Sequence, residues 1–176
     1  MLNLIKTAQL RILRSLLDTP GQTIRVRESA KKANVSPATV SLISEKMRGE
    51  GIIKSGRIDL SHPMTRLLKI LLNIMLLSPC IAIIKKHIET SGIGVYGSWT
   101  KGTNTEQSDI DLWFKVKKYP NPMNIAKLRA ELRNKLGAEP SMLFLTKDRM
   151  DEIRKNNPSL YFSLLHSFRM WGGEID

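Results

Sequence analysis

A single cysteine, Cys80, stands in 176 residues. No disulfide can close within the chain and no cysteine-built zinc site can form, which matches a reducing cytoplasm. Acid is scarce: 16 Asp and Glu face 28 Lys and Arg, a net charge of +12. The three histidines, His62, His87 and His166, lack the spacing of metal ligands and are assigned no chemistry. No apolar run reaches the roughly 20 residues that a bilayer span needs. The longest, residues 70–84, contains Asn73, Ser78 and Pro79 and is bracketed by Lys69 and by Lys85-Lys86. It reads as a buried helix, a proline break and the start of a second helix, with no membrane as partner. No signal peptide is expected, because Lys6, Arg11 and Arg14 punctuate the first apolar stretch at helical spacing.

What remains is a globular composition, 41% hydrophobic and 25% charged. It is enough for a real core in one ordinary domain or two small ones. The positive charge is uneven. Residues 1–90 hold 15 basic and 6 acidic residues, net +9, and residues 91–176 hold 13 and 10, net +3. A basic excess in one half favours a polyanion such as nucleic acid over a purely solubilising role.

In that basic half, residues 2–17 place Leu2, Ile5, Leu10, Leu13, Leu16 and Leu17 at helical spacing. Asp18-Thr19-Pro20-Gly21 ends the pattern. Residues 24–33 form a second short helix, with Ile24, Val26, Ala30 and Ala33 inward. Ser36-Pro37 opens a third, since serine caps a helix and proline fits its first position. That helix buries Val40, Ile43 and Met47, and residues 52–60 read as a hairpin around Ser55-Gly56. Three helices and a hairpin, with the phrase VSPATVSLISEKMRGEGIIKSGR, resemble the winged helix-turn-helix superfamily over residues 1–63. The resemblance implies DNA as partner. Ser36, Thr39 and Ser41 would read bases from the start of the third helix, and Lys46, Arg48, Lys54 and Arg57 would touch phosphates. Arg25, Arg27, Lys31 and Lys32 could also face the backbone. A winged helix that serves only dimerisation or protein contact is the alternative.

The other half carries GSWTKGTNTEQSDIDLWF, residues 97–114. Residues 92–96 read as a buried strand ending at Gly97-Ser98, and residues 109–116 as the next strand. Ile110, Leu112 and Phe114 share one face of it, so Asp109 and Asp111 share the other. Two carboxylates this close repel unless a cation lies between them. Hard oxygen ligands suit Mg²⁺ shared with substrate phosphates. Gly97 would let backbone approach those phosphates, and Ser98 could donate to them.

Gly97-Ser98, ten residues, then Asp109-Ile110-Asp111 is similar to the signature of the DNA polymerase beta-like nucleotidyltransferase superfamily, in its minimal nucleotidyltransferase branch. The likeness covers residues 85–173. It implies that Ser98 holds the terminal phosphates of a nucleoside triphosphate, ATP above all. It also implies that Asp109 and Asp111 hold two Mg²⁺ (or Mn²⁺) ions, that Lys101 touches phosphate and that Gly102 makes the tight turn. It further implies transfer of an NMP group, AMP foremost, to a hydroxyl of a protein or small molecule, with a small helical HEPN-type protein as candidate partner. The family's third carboxylate, on a later strand, has no counterpart here: residues 141–145 hold no acid, and Ser141 or Leu143 occupies its place. Glu139 and Asp148 flank that strand without matching it.

The expected architecture is therefore α+β: a winged helix-turn-helix at 1–63, linking helices at 64–90, and a small nucleotidyltransferase fold with a mixed sheet and flanking helices at 91–176. Two further functions stay open, a DNA-binding regulator whose degenerate nucleotidyltransferase domain only binds nucleotide, and an RNA-modifying transferase. A homodimer is expected, joined through the apolar helix at 67–77. Trp99 and Trp113 are candidates to stack on a base, with core positions the alternative for both.

Overall fold

The computed structural model describes residues 7–175. Leu2 and Ile5 of the first expected helix lie outside the described residues. The chain divides into two compact units. One comprises Met1–Leu72 with Gly102–Glu106, the other Asn73–Lys101 with Gln107–Asp176.

In the first unit, α1 (Thr7–Leu17), α2 (Val26–Ala33) and α3 (Pro37–Gly49) precede a two-stranded hairpin, β1 (Ile53–Lys54) and β2 (Arg57–Ile58). Local chemistry sets these boundaries. Asn34 ends α2 in the left-handed conformation at φ 50°, a cap that asparagine tolerates. Ser36 caps α3, its hydroxyl accepting from the Thr39 amide at 3.2 Å, and Pro37 takes the first helical position. Ile12, Leu16, Ala30, Val40, Met47 and Ile58 are among the residues that form the core of this unit. Ile43, expected inside, is only partly buried, and Ser44 is the fully buried residue beside it.

The apolar stretch forms two helices, α4 (Pro63–Leu77) and α5 (Cys80–His87). They are bent by 44° at the break that holds Pro79. Among the described residues no single helix is long and apolar enough to cross a membrane.

The second unit then runs β3 (Gly92–Val95), α6 (Ser98–Lys101), β4 (Ile110–Lys115), α7 (Pro122–Leu136), β5 (Pro140–Leu145), α8 (Lys147–Asn156), α9 (Pro158–Leu165) and β6 (Phe168–Gly172). The four strands form one mixed sheet in the order β5-β4-β3-β6, parallel only between β4 and β5. Ile110, Leu112 and Phe114 are fully buried with Ile84, Leu128 and Leu132 on the face covered by α5 and α7. Trp113, Leu145, Ile153 and Leu164 pack on the opposite face, beneath α8 and α9. The alternation along β4 thus places Asp111 and Trp113 on the α8–α9 side. One strand was not expected. Residues 161–170 read as a continuous apolar and aromatic segment, yet they split into the end of α9 and the edge strand β6, which pairs with β3.

Candidate active site

β3 and β4 are antiparallel neighbours, with Val95 opposite Leu112. The Tyr96 amide extends the ladder by donating to the Asp111 carbonyl at 3.0 Å. The next residue, Gly97, therefore arrives directly at the Asp111 side chain. Its φ is +71°, and a Cβ added there would lie 2.5 Å from Asp111 Oδ2. Any other residue would be strained in its backbone and would collide with the carboxylate. Ser98 follows as the first residue of the single turn α6, and the Thr100 hydroxyl donates back to the Gly97 carbonyl at 2.9 Å. The structure thereby brings Gly97 and Asp111 together, with Ser98 next in the chain. Asp109 lies one residue before β4 begins, rather than inside the strand as expected, and is exposed.

The pair forms an anionic site. Neither carboxylate has an ion-pair partner among the described residues. Burial pushes the Asp111 carboxyl above the ordinary aspartate value of 3.8; the Ser141 hydroxyl opposes this, and the Asp109 charge adds to it. Burial also pushes the Tyr96 phenol up, helped by the Asp111 charge and opposed by the Ser141 hydroxyl. The parallel register settles which residue of β5 stands at the pair. Asp111 is opposite Ser141, whereas Leu143 is opposite Trp113.

The two flanking acids do not complete the set. Glu139 is engaged by Arg129 at 3.2 Å and Arg133 at 3.9 Å. Asp148 lies in the first turn of α8, past the opposite end of β5. Among the described residues no group of three or more His, Cys, Asp or Glu side chains could hold a metal. Two carboxylates at the edge of an open loop suit one hard divalent cation that completes its shell with water and phosphate oxygens. They leave a second cation short of protein ligands.

Other residues singled out in the sequence take varied positions. Lys101 is exposed. Gly102 is buried in the first unit, where a Cβ would meet the Arg66 carbonyl oxygen at 2.7 Å. Trp99 is 6% exposed within the core, and its indole N–H has no acceptor among the described residues. Trp113 is 1% exposed; it lies over Gly94, whose added Cβ would fall 2.3 Å from the indole, and it donates to the Ser167 hydroxyl at 2.9 Å. Neither indole is free to stack on a base, so for both the core position holds. Tyr96, whose phenol lies within reach of the Asp111 charge and of the Ser141 hydroxyl, was not assigned to the site from sequence, and Ser141 was offered there only as an alternative to Leu143. The adjacency of Tyr96 to Gly97 was the available signal for the first, and the strand register selects Ser141 over Leu143.

In the first unit Ser41, Lys46, Arg48, Lys54 and Arg57 are exposed. The Ser36 and Thr39 hydroxyls bond to each other at 2.8 Å. Lys54 pairs with Asp59 at 2.7 Å, which holds the Asp59 carboxyl far below the usual range.

Comparison with known proteins bears on the second unit. Residues 79–163 match the family described as Polymerase beta, Nucleotidyltransferase. Those residues run from the start of α5 into α9 and include both carboxylates and the Gly97-Ser98 turn. Two solved complexes are similar over part of the chain. One is a toxin–antitoxin with AMP-PNP, 18% identical, covering 55% of this chain and 73% of that one at a TM-score of 0.43. The other is a tri-AMPylated Shewanella oneidensis HEPN toxin in complex with MNT antitoxin, 16% identical, covering 57% and 73% at a TM-score of 0.42. No curated protein matches the chain.

Proposed function

We propose that the second unit binds a nucleoside triphosphate, ATP foremost, with one Mg²⁺ or Mn²⁺ ion and transfers its NMP group to a hydroxyl of a protein or small molecule. The observation that carries this reading is the seating of Gly97 against Asp111, inside the segment that matches the nucleotidyltransferase family. With no side chain, Gly97 admits the Asp111 carboxylate against the backbone of the turn. The Ser98 hydroxyl, on the next residue, would serve as a donor to phosphate oxygens. Asp109 and Asp111 would hold the cation, which would offset the phosphate charge and orient the triphosphate. Lys101, exposed one turn on, adds positive charge on the approach to the site.

Ser141 favours a second reading. A neutral hydroxyl stands beside Asp111 where the family resemblance calls for a carboxylate. Such a site retains nucleotide and is slow to transfer, because among the described residues no third acid stands at the pair to take the proton of the attacking hydroxyl. On this account the protein is a nucleotide-responsive regulator.

Both readings include DNA. The support is the basic excess of the first half and the three-helix-and-hairpin order. Ser41 and Thr39 would face bases, while Lys46, Arg48 and Arg57 would meet phosphates. Lys54 would first have to leave Asp59. Self-association through α4 is part of the proposal, since Met64, Leu67 and Leu71 are 48%, 59% and 44% exposed on one helix. The experiment is transfer from labelled ATP, with and without a candidate HEPN-type acceptor, compared with Asp109→Ala/Asp111→Ala.

A further inference from the structure

The far end of the same sheet holds a cleft that the nucleotide site does not use. β4 and β5 are parallel, and both end there, at Lys115 and Leu145. From Asp111 to Lys115 the strand advances about 13 Å. The cleft has a volume of about 470 Å³, within the range of small-molecule sites. Val116 and Leu145, both buried, help to form its apolar wall together with Met150 and Ile175.

Among the described residues, Lys117 and Lys147 line it beside one acid, Asp151, and Lys115 forms part of its wall. The Lys115 ammonium is fixed by donating to the Glu174 carbonyl at 2.7 Å. The ammonium groups of Lys117 and Lys147 have no partner among the described residues. Thr146 also lines the cleft; its hydroxyl caps α8 through the Arg149 amide at 3.2 Å, so it is already engaged.

We propose that this cleft is a second ligand site, for a small organic anion with a phosphate or carboxylate head and an apolar body. The apolar wall takes the body, and Lys117 and Lys147 take the head. A site at the carboxyl ends of parallel strands also follows the general placement of ligands on open sheets that contain them. The proposal is independent of nucleotide transfer at Asp109 and Asp111.

The test uses the full chain, labelled with ¹⁵N and titrated with 1-naphthyl phosphate, with inorganic phosphate and 1-naphthol as single-feature controls. The expected result is saturable shifts at the amides of Val116, Lys117, Leu145 and Met150, with either control binding at least about tenfold more weakly. Lys117→Glu/Lys147→Glu should weaken binding by about tenfold or more. Met150→Trp, which fills the cleft without touching charge, should weaken it as well. Asp109→Ala/Asp111→Ala should leave it unchanged, which separates this site from the nucleotide site. Shifts confined to Gly97, Ser98 and Asp111, shifts scattered over lysines across the surface, or affinity unaltered in a folded Lys117→Glu/Lys147→Glu variant would overturn the proposal.

Discussion

Ser141 stands directly beside Asp111 across the parallel β4–β5 ladder, and its hydroxyl opposes the upward push that burial gives the Asp111 carboxyl. The position is one side chain away from a three-carboxylate site. Ser141→Asp should therefore raise the rate of NMP transfer from ATP, by about 10²-fold if the new acid accepts the proton of the attacking hydroxyl. Leu143→Asp, opposite Trp113 and away from the pair, should give no gain. Steady-state transfer rates of the two variants make the comparison.

Gly97→Ala should damage both stability and binding. The backbone strain at φ +71° costs about 1–3 kcal/mol for a residue with a Cβ. The methyl group would also push the Asp111 carboxylate out of position. A lower unfolding midpoint with nucleotide affinity reduced or lost is the expected outcome, read by thermal melts and ATP titration. An alanine variant with normal affinity would remove Gly97 from the site.

The buried Lys69 in the first unit gives a pH prediction. It is 1% exposed and donates to the Leu17 carbonyl at 2.8 Å and to the Asn104 carbonyl. Burial pulls its pKa below the ordinary lysine value of 10.5, with the nearby Asp18 charge opposing. The unfolded chain therefore binds more protons than the folded one between the lowered pKa and 10.5. This contribution to stability rises with pH across that window and is lost as pH falls through the folded pKa. Denaturant melts across the alkaline range should show the rise, and Lys69→Met should flatten it.

Binding to duplex DNA should depend on salt through the basic surface of α3 and the hairpin. Each phosphate contact removed should lower the slope of log K against log salt by about 0.9. Arg48→Ala and Arg57→Ala should each do so while leaving sequence preference intact, whereas Ser41→Ala should alter preference and leave the slope unchanged. Fluorescence anisotropy at several salt concentrations reads both effects.

The legible parts of the fold were those with local causes. Ser36-Pro37 announces α3 because capping chemistry acts over three residues. Leu128, Leu132 and Leu136 announce the buried face of α7 because their spacing is helical. The Gly97-Ser98 turn and the Ile110-Leu112-Phe114 alternation could be read for the same reason, whereas Asp109, expected inside the strand, lies just before it. Features set by pairing between distant segments could not. β6 is a strand because β3 offers it an edge, and nothing within residues 168–172 distinguishes it from the end of α9. The choice of Ser141 over Leu143 needs the β4–β5 register. The burial of Trp99 and Trp113 depends on what packs over them, and the place of Gly102 depends on the approach of the Arg66 backbone.

The central claim is that Asp109 and Asp111 form a nucleotidyl-transfer site, and labelled-ATP transfer tests it most directly. The assay uses the full chain with Mg²⁺ or Mn²⁺, with and without a HEPN-type acceptor, beside Asp109→Ala/Asp111→Ala. The account predicts covalent label on an acceptor that disappears in the double variant and increases in Ser141→Asp. ATP binding that ignores the aspartate pair, with no label transferred by the wild type or by Ser141→Asp, would contradict it.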